Sequence, residues 1–200
     1  MGTESYSLGM ARLYWSAYPG GTAATTVDSI VSAVQAGAAG AYDLGNVVSA
    51  EITPDITYLD HFVSVAGARQ KDKTSAITKS ISIPITFDEI NATNVSNFFF
   101  TGDVLSATRY GVFNSDTIPP EGGAVLVFYT DTGKDFLYAM PKAALRTEGG
   151  ALSFNIEDWM SMPFTLEVLH YSSYTPPSCA TTCEYGYLDL CATSYAATGV

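Results

Sequence analysis

The run Lys79-Ser-Ile-Ser-Ile-Pro-Ile-Thr-Phe87 decides the fold class of this chain. Ile81, Ile83, Ile85 and Phe87 alternate with Ser80, Ser82, Pro84 and Thr86. Such a period of two belongs to a β-strand with one face buried and the other polar. Pro84 lies on the polar face, so its missing N–H is expected to point away from a central ladder or into a bulge.

Outward from this strand further β segments follow. Ala124-Val-Leu-Val-Phe-Tyr-Thr130, the turn Asp131-Thr-Gly-Lys134 and Asp135-Phe-Leu-Tyr-Ala-Met140 read as a hairpin. Gly133 would supply the positive φ of its loop. A calcium reading of Asp131 and Asp135 is weaker than the turn, because no further ligands follow at loop spacing. Residues 151–157 and 163–170 add two alternating strands, and residues 44–56 and 58–65 two more, broken near Pro54. One helix interrupts them. Asn91 is its expected N-cap, Ile90 and Val95 its hydrophobic staple, and Gly102 its C-cap. Val95, Phe98 and Phe99 fall on one face. These elements predict a mainly β fold, a β-sandwich or barrel with one flanking α-helix. The main domain is expected over residues 1–174, with an insertion at about 20–41 and an extended C-terminal segment over 175–200. Inside the insertion, Val27, Ile30, Val31 and Val34 sit at helical spacing, which fits a small helix or a long loop.

Bulk composition limits the function. Apolar residues form 47% of the chain and charged residues 14%, against roughly 25% charged in an ordinary soluble domain. So little charge leaves apolar surface that is expected to meet other protein chains. The plainer alternative is a monomer covered by Ser, Thr and Asn. The net charge of −11 argues against reading nucleic acid, which requires Lys and Arg to displace counterions. No apolar run is long enough for a membrane span. The opening residues Met1 to Tyr6 lack the basic start and apolar run of a signal peptide, so synthesis in a cytoplasm is expected.

Chemistry is hard to find. His61 and His170 stand in no pattern offering a nucleophile, a base and an orienting acid. The acidic pairs Asp88-Glu89 and Glu157-Asp158 are not marked out by their neighbours. Cys179, Cys183 and Cys191 are odd in number and would need His170 or a carboxylate to complete a zinc site. No catalytic, cofactor or metal site is expected. The unusual charge feature is Ala68-Arg-Gln-Lys-Asp-Lys-Thr-Ser-Ala-Ile-Thr-Lys79, which holds four of the nine basic residues of an acidic chain. It reads either as a solvated loop or as a connector reaching an acidic surface on another copy. Opposite charges on two faces of one subunit favour head-to-tail association.

The order Leu44-Gly-Asn-Val47, Tyr58-Leu-Asp-His-Phe62, Gly67-Ala-Arg-Gln-Lys-Asp72, then Asp88-Glu-Ile-Asn91 and Phe98-Phe-Phe-Thr-Gly-Asp103 resembles the tail tube proteins of long-tailed bacteriophages. The resemblance covers about residues 8 to 172. It implies a β-sandwich or barrel whose copies form hexameric rings, with strands of neighbours joining into a β-lined channel. It implies a virion protein, assembled in the host cytoplasm, with itself as main partner. Tape measure, tail terminator and baseplate or tip proteins would be further partners, and DNA would pass through the lumen without specific binding. By position, Arg69, Gln70, Lys71, Asp72, Lys73 and Lys79 resemble the loop that stacks one ring on the next. The resemblance implies no catalytic residue and no cofactor. Residues 20–41 and the tail after 175 depart from the pattern. The alternatives are a related injection-machine tube or baseplate hub protein, and a carbohydrate-binding or hydrolytic β-sandwich.

Overall fold

The computed structural model describes residues 7–17, 27–37, 40–89, 91–99, 104–106, 109–110, 119–130, 134–147, 161–172, 174 and 183–193. In chain order these form β1 (Ser7–Ala17), α1 (Val27–Gln35), β2 (Ala41–Ala50), β3 (Thr53–Val65), β4 (Ala68–Phe87) and α2 (Ala92–Phe98). Then follow β5 (Val104–Ser106), β6 (Arg109–Tyr110), β7 (Glu121–Thr130), β8 (Lys134–Arg146), β9 (Met162–Val168) and β10 (Tyr187–Thr193).

The expected mainly β fold is present, and its body is a barrel. Antiparallel pairing runs β8-β7-β1-β2-β4, and β9 then bridges β4 back to β8. The circuit closes, so these strands leave no open edge around the barrel. Alternation along each strand fills the interior. Leu13, Trp15, Ile83, Ile85, Phe87, Leu126, Met140, Leu145, Phe164 and Leu166 are all buried in one cluster. Closure requires bending. Between Gly122 and Ala124 the β7–β8 register slips, with Gly122 opposite Ala143 and Ala124 opposite Met140. β8 therefore carries an extra residue there, and its inward face changes parity from Met140 to Ala143. Gly122 also lets the neighbouring strand approach. A Cβ at this position would lie 2.4 Å from the Ser16 carbonyl oxygen and 2.9 Å from the Trp15 indole.

The deciding strand behaves as its alternation requires, with Ile83, Ile85 and Phe87 buried. Pro84 stands opposite Thr165 of β9, but its carbonyl accepts the Glu51 N–H at 3.2 Å on the other side. Nitrogen and carbonyl of one strand residue face the same edge. The missing N–H therefore faces the end of β2, beside a register shift between Val47 and Ser49. The break between the two preceding strands falls at residues 51–52, not at Pro54, which lies inside β3 opposite Ile81.

Two helices flank the barrel. α2 starts at Asn91, whose side chain accepts the Asn94 N–H at 2.8 Å. It ends at Phe98 with Phe99 as C-cap, so the helix stops before Gly102, which lies outside the described residues, as does Ile90 of the expected staple. Phe98 enters the barrel core, and Val95 and Phe99 pack against it. Asn94, unnoticed in the sequence, is buried and ties the helix down. Its Nδ2 donates to the carbonyls of Leu44 at 2.9 Å and Glu89 at 2.8 Å. Asn94→Ala would leave both carbonyls without this donor, and a loss of about 1–3 kcal/mol in a urea titration is expected.

Within the segment expected as an insertion, α1 lies on the outer face of the sheet. Ile30 and Val31 bury against Tyr14, Val125, Val127, Leu137 and Ala139, forming a second core. The hairpin β7–β8 has the expected strands, and its turn residues 131–133 lie outside the described residues, as do residues 151–157.

Within the segment expected as an extended tail, residues 187–193 form a strand. β10 pairs antiparallel with β8, with Tyr187 opposite Ala139 and Thr193 opposite Lys134. Its approach is fastened by the Tyr138 hydroxyl, which donates to the Tyr185 carbonyl at 2.9 Å. The Cys183 N–H donates to the Tyr174 carbonyl at 3.0 Å, and the rings of Tyr174 and Tyr187 stack at 6.2 Å. Burial pushes the Tyr138 phenol up to about 12, so this donor keeps its proton throughout the neutral range.

Candidate self-association surface

Beyond the barrel, β3 and β4 continue as a two-stranded arm. Their pairing runs unbroken from Thr53–Ser82 to Val65–Ala68, apart from two register shifts. From Ile56 to Val65 the arm extends roughly 30 Å at the usual strand rise. Its tip is the two-residue turn Ala66-Gly67, with φ of 51° and 84°. Two positive φ angles match a type I′ hairpin turn, whose twist suits the flanking strands. Residues 53–79 are exposed throughout, except that Val63 is intermediate.

The basic segment expected as a loop is therefore a correction: residues 68–79 are the second strand of this arm. Hydrogen bonding to β3 makes it a strand, while exposure on every side removes the need for alternation. The six residues singled out in the sequence do come together here, but they act differently. Lys71 Nζ reaches Asp60 Oδ1 at 2.7 Å, and the Thr74 hydroxyl donates to the same oxygen at 2.9 Å. These two donors hold the Asp60 carboxyl below its usual range. Asp72 lies 2.6 Å from His61 Nδ1. The Arg69 guanidinium stacks over the Phe62 ring at 4.2 Å from its centre. Gln70 stands opposite Val63, Lys73 opposite His61 and Lys79 opposite Ile56. Lys73 and Lys79 have no ion pair among the described residues.

Sequence reasoning missed the apolar half of the arm. Ile56, Tyr58, Leu59, Phe62, Val65 and Ile77 are all exposed, with Tyr58 at 58%, Leu59 at 61% and Ile77 at 60%. Their signal was the dense run from Ile56 to Val65, which breaks the alternation of a half-buried strand. An isolated two-stranded ribbon is marginal in water, and exposed apolar edge strands invite pairing with other chains. Charge is divided between arm and body. Residues 53–79 carry four Lys or Arg against three Asp, while the rest of the chain carries five against seventeen acidic residues.

No group of three His, Cys, Asp or Glu able to hold a metal ion occurs among the described residues. His170 Nε2 lies 3.4 Å from Glu184 Oε2, in an exposed pair. Cys179 lies outside the described residues, and Cys191 falls in β10. No described helix is long and apolar enough to cross a membrane.

A comparison with curated protein sequences finds no match. A family model described as phage tail tube protein matches residues 8–179. This span includes the barrel, both helices and the arm, and stops before β10. A closed β-barrel, an exposed two-stranded arm and a family match over most of the sequence stand together: the chain belongs to the phage tail tube proteins, structural components of the virion tail.

Proposed function

We propose that this chain polymerises into stacked hexameric rings forming the tail tube, the conduit for genome ejection. The observation that carries this reading is the arm, which presents exposed apolar side chains and two strand edges that no other strand among the described residues covers. Its role is structural, without catalysis or cofactor. Arg69, Gln70, Lys71, Asp72, Lys73 and Lys79 belong to the ring-stacking surface. Because Lys71 is engaged by Asp60, Lys73 and Lys79 are the lysines that reach toward an acidic neighbour. Attraction between the slightly basic arm and the acidic body then sets the head-to-tail sense of stacking. An acidic lumen would repel duplex DNA, which carries one charge per about 1.7 Å, so the genome slides without binding. Tape measure, tail terminator and baseplate or tip proteins complete the tail, with assembly in the host cytoplasm.

Electron microscopy of the purified protein tests this. Rings or tubes whose end-on averages show sixfold symmetry are the expected result. A compact monomer at every concentration, alone and with its assembly partners, would sink the proposal.

A further inference from the structure

Where the arm leaves the barrel, β4 changes neighbours. Residues 81–87 pair with β9 on one edge, and the Pro84 carbonyl faces the other, toward Glu51. Nitrogen and carbonyl of one strand residue share an edge, and successive residues alternate. Ile81, Ile83 and Ile85 therefore face β9, and Lys79 is the next residue to face that edge. β9 ends at Val168, opposite Ile81, so Lys79 lies just past the last strand support on this side. A side chain takes over there. The Tyr185 hydroxyl donates to the Lys79 carbonyl at 3.2 Å.

Tyr185 is itself seated on the barrel. Its ring packs against the core cluster and meets the His170 ring edge-on at 5.8 Å. Its carbonyl accepts from Tyr138 at 2.9 Å, and the preceding carbonyl, of Glu184, accepts the Tyr171 N–H at 2.9 Å. Gly186 follows with φ of 93°, and a Cβ there would run into the Ala139 carbonyl of β8. A glycine lets the chain lie this close before it enters β10. We propose that residues 183–187 form a clasp that fixes the root of the arm to the barrel, with Tyr185 as its positioning residue. The family match ends at residue 179, so the clasp lies outside the matched region. A fixed root holds the arm in one direction before a neighbour is met, which lowers the ordering cost of association. That consequence rests on the self-assembly reading above; the clasp itself does not.

Amide hydrogen exchange tests the clasp on the full-length chain, dilute enough to stay unassembled. Tyr185→Phe keeps the ring and removes only the donor. The amides of Asp55, Thr57, Thr78 and Ser80, which pair across the root, are expected to exchange roughly two- to tenfold faster. Gly186→Ala pushes the chain off β8 and is expected to do the same, with lost protection in β10. Amides of β1 and β7 control for folding and stay protected. Unchanged root exchange in Tyr185→Phe overturns the clasp, whatever Gly186→Ala does. Sedimentation at higher concentration reads the consequence, and both variants are expected to raise the concentration at which assembly begins roughly two- to tenfold. Faster root exchange with unchanged assembly would refute the pre-organisation and support the clasp. A wild-type chain that never assembles would refute the self-assembly reading, while the exchange result still decides the clasp.

Discussion

Replacing residues 58–77 by an Asn-Gly turn, joined between Thr57 and Thr78, is expected to abolish assembly and leave the barrel intact. Thr57 and Thr78 are paired, and an Asn-Gly pair readily closes two antiparallel strands as a type I′ turn. None of the removed residues belongs to either core cluster, so the melting temperature should barely change. The deletion removes every exposed large apolar side chain of the arm except Ile56. It also removes three of the arm's four basic residues, leaving Lys79. Sedimentation velocity beside a thermal melt reads both effects. Tubes that persist in the shortened protein would refute a role for the arm in assembly. A large fall in melting temperature would mean instead that the arm braces its own barrel.

The second large effect lies inside the barrel. Phe164 is buried, and its ring meets Phe87 and Phe98 edge-on, each at 5.5 Å between centres. It therefore joins β9, β4 and α2 in one aromatic group. Phe164→Ala removes the middle ring, and a cavity between a closed sheet and a helix held by Asn94 can collapse only partly. A cost of about 3–5 kcal/mol is expected, a large share of the ~5–15 kcal/mol that stabilises a domain. Urea unfolding at low protein concentration measures it on the monomer. A loss below about 1 kcal/mol would show that the three rings are not mutually supporting. The two changes separate assembly from folding: the first acts on what the chain offers its neighbours, the second on what it keeps for itself.

The difference between those two regions also explains what could be read in advance. Residues 81–87 and 163–168 each have one face in the core, and burial on one side imposes a period of two, whereas residues 124–127 are buried on both faces and form a continuous apolar run. The helix after Asn91 was visible through its cap and the spacing of Val95, Phe98 and Phe99, and its early stop at Phe98 was not. Asn94 carried no signal, since a buried amide matters only through the carbonyls of Leu44 and Glu89 that the fold brings beside it. The basic stretch from Arg69 to Lys79 passed for a loop because no core face orders its side chains.

The amino-acid order alone therefore determined the β character, the capped helix and the shortage of charge that points to other chains. Each of these depends on neighbours within a few residues or on composition. Only the tertiary structure decided that β9 closes a barrel, that β10 lies along β8, and that β3 and β4 leave the body as an exposed arm. Those outcomes depend on strands far apart in the chain meeting in one register. A local pattern reports which side of a strand is buried, never which strand lies beside it.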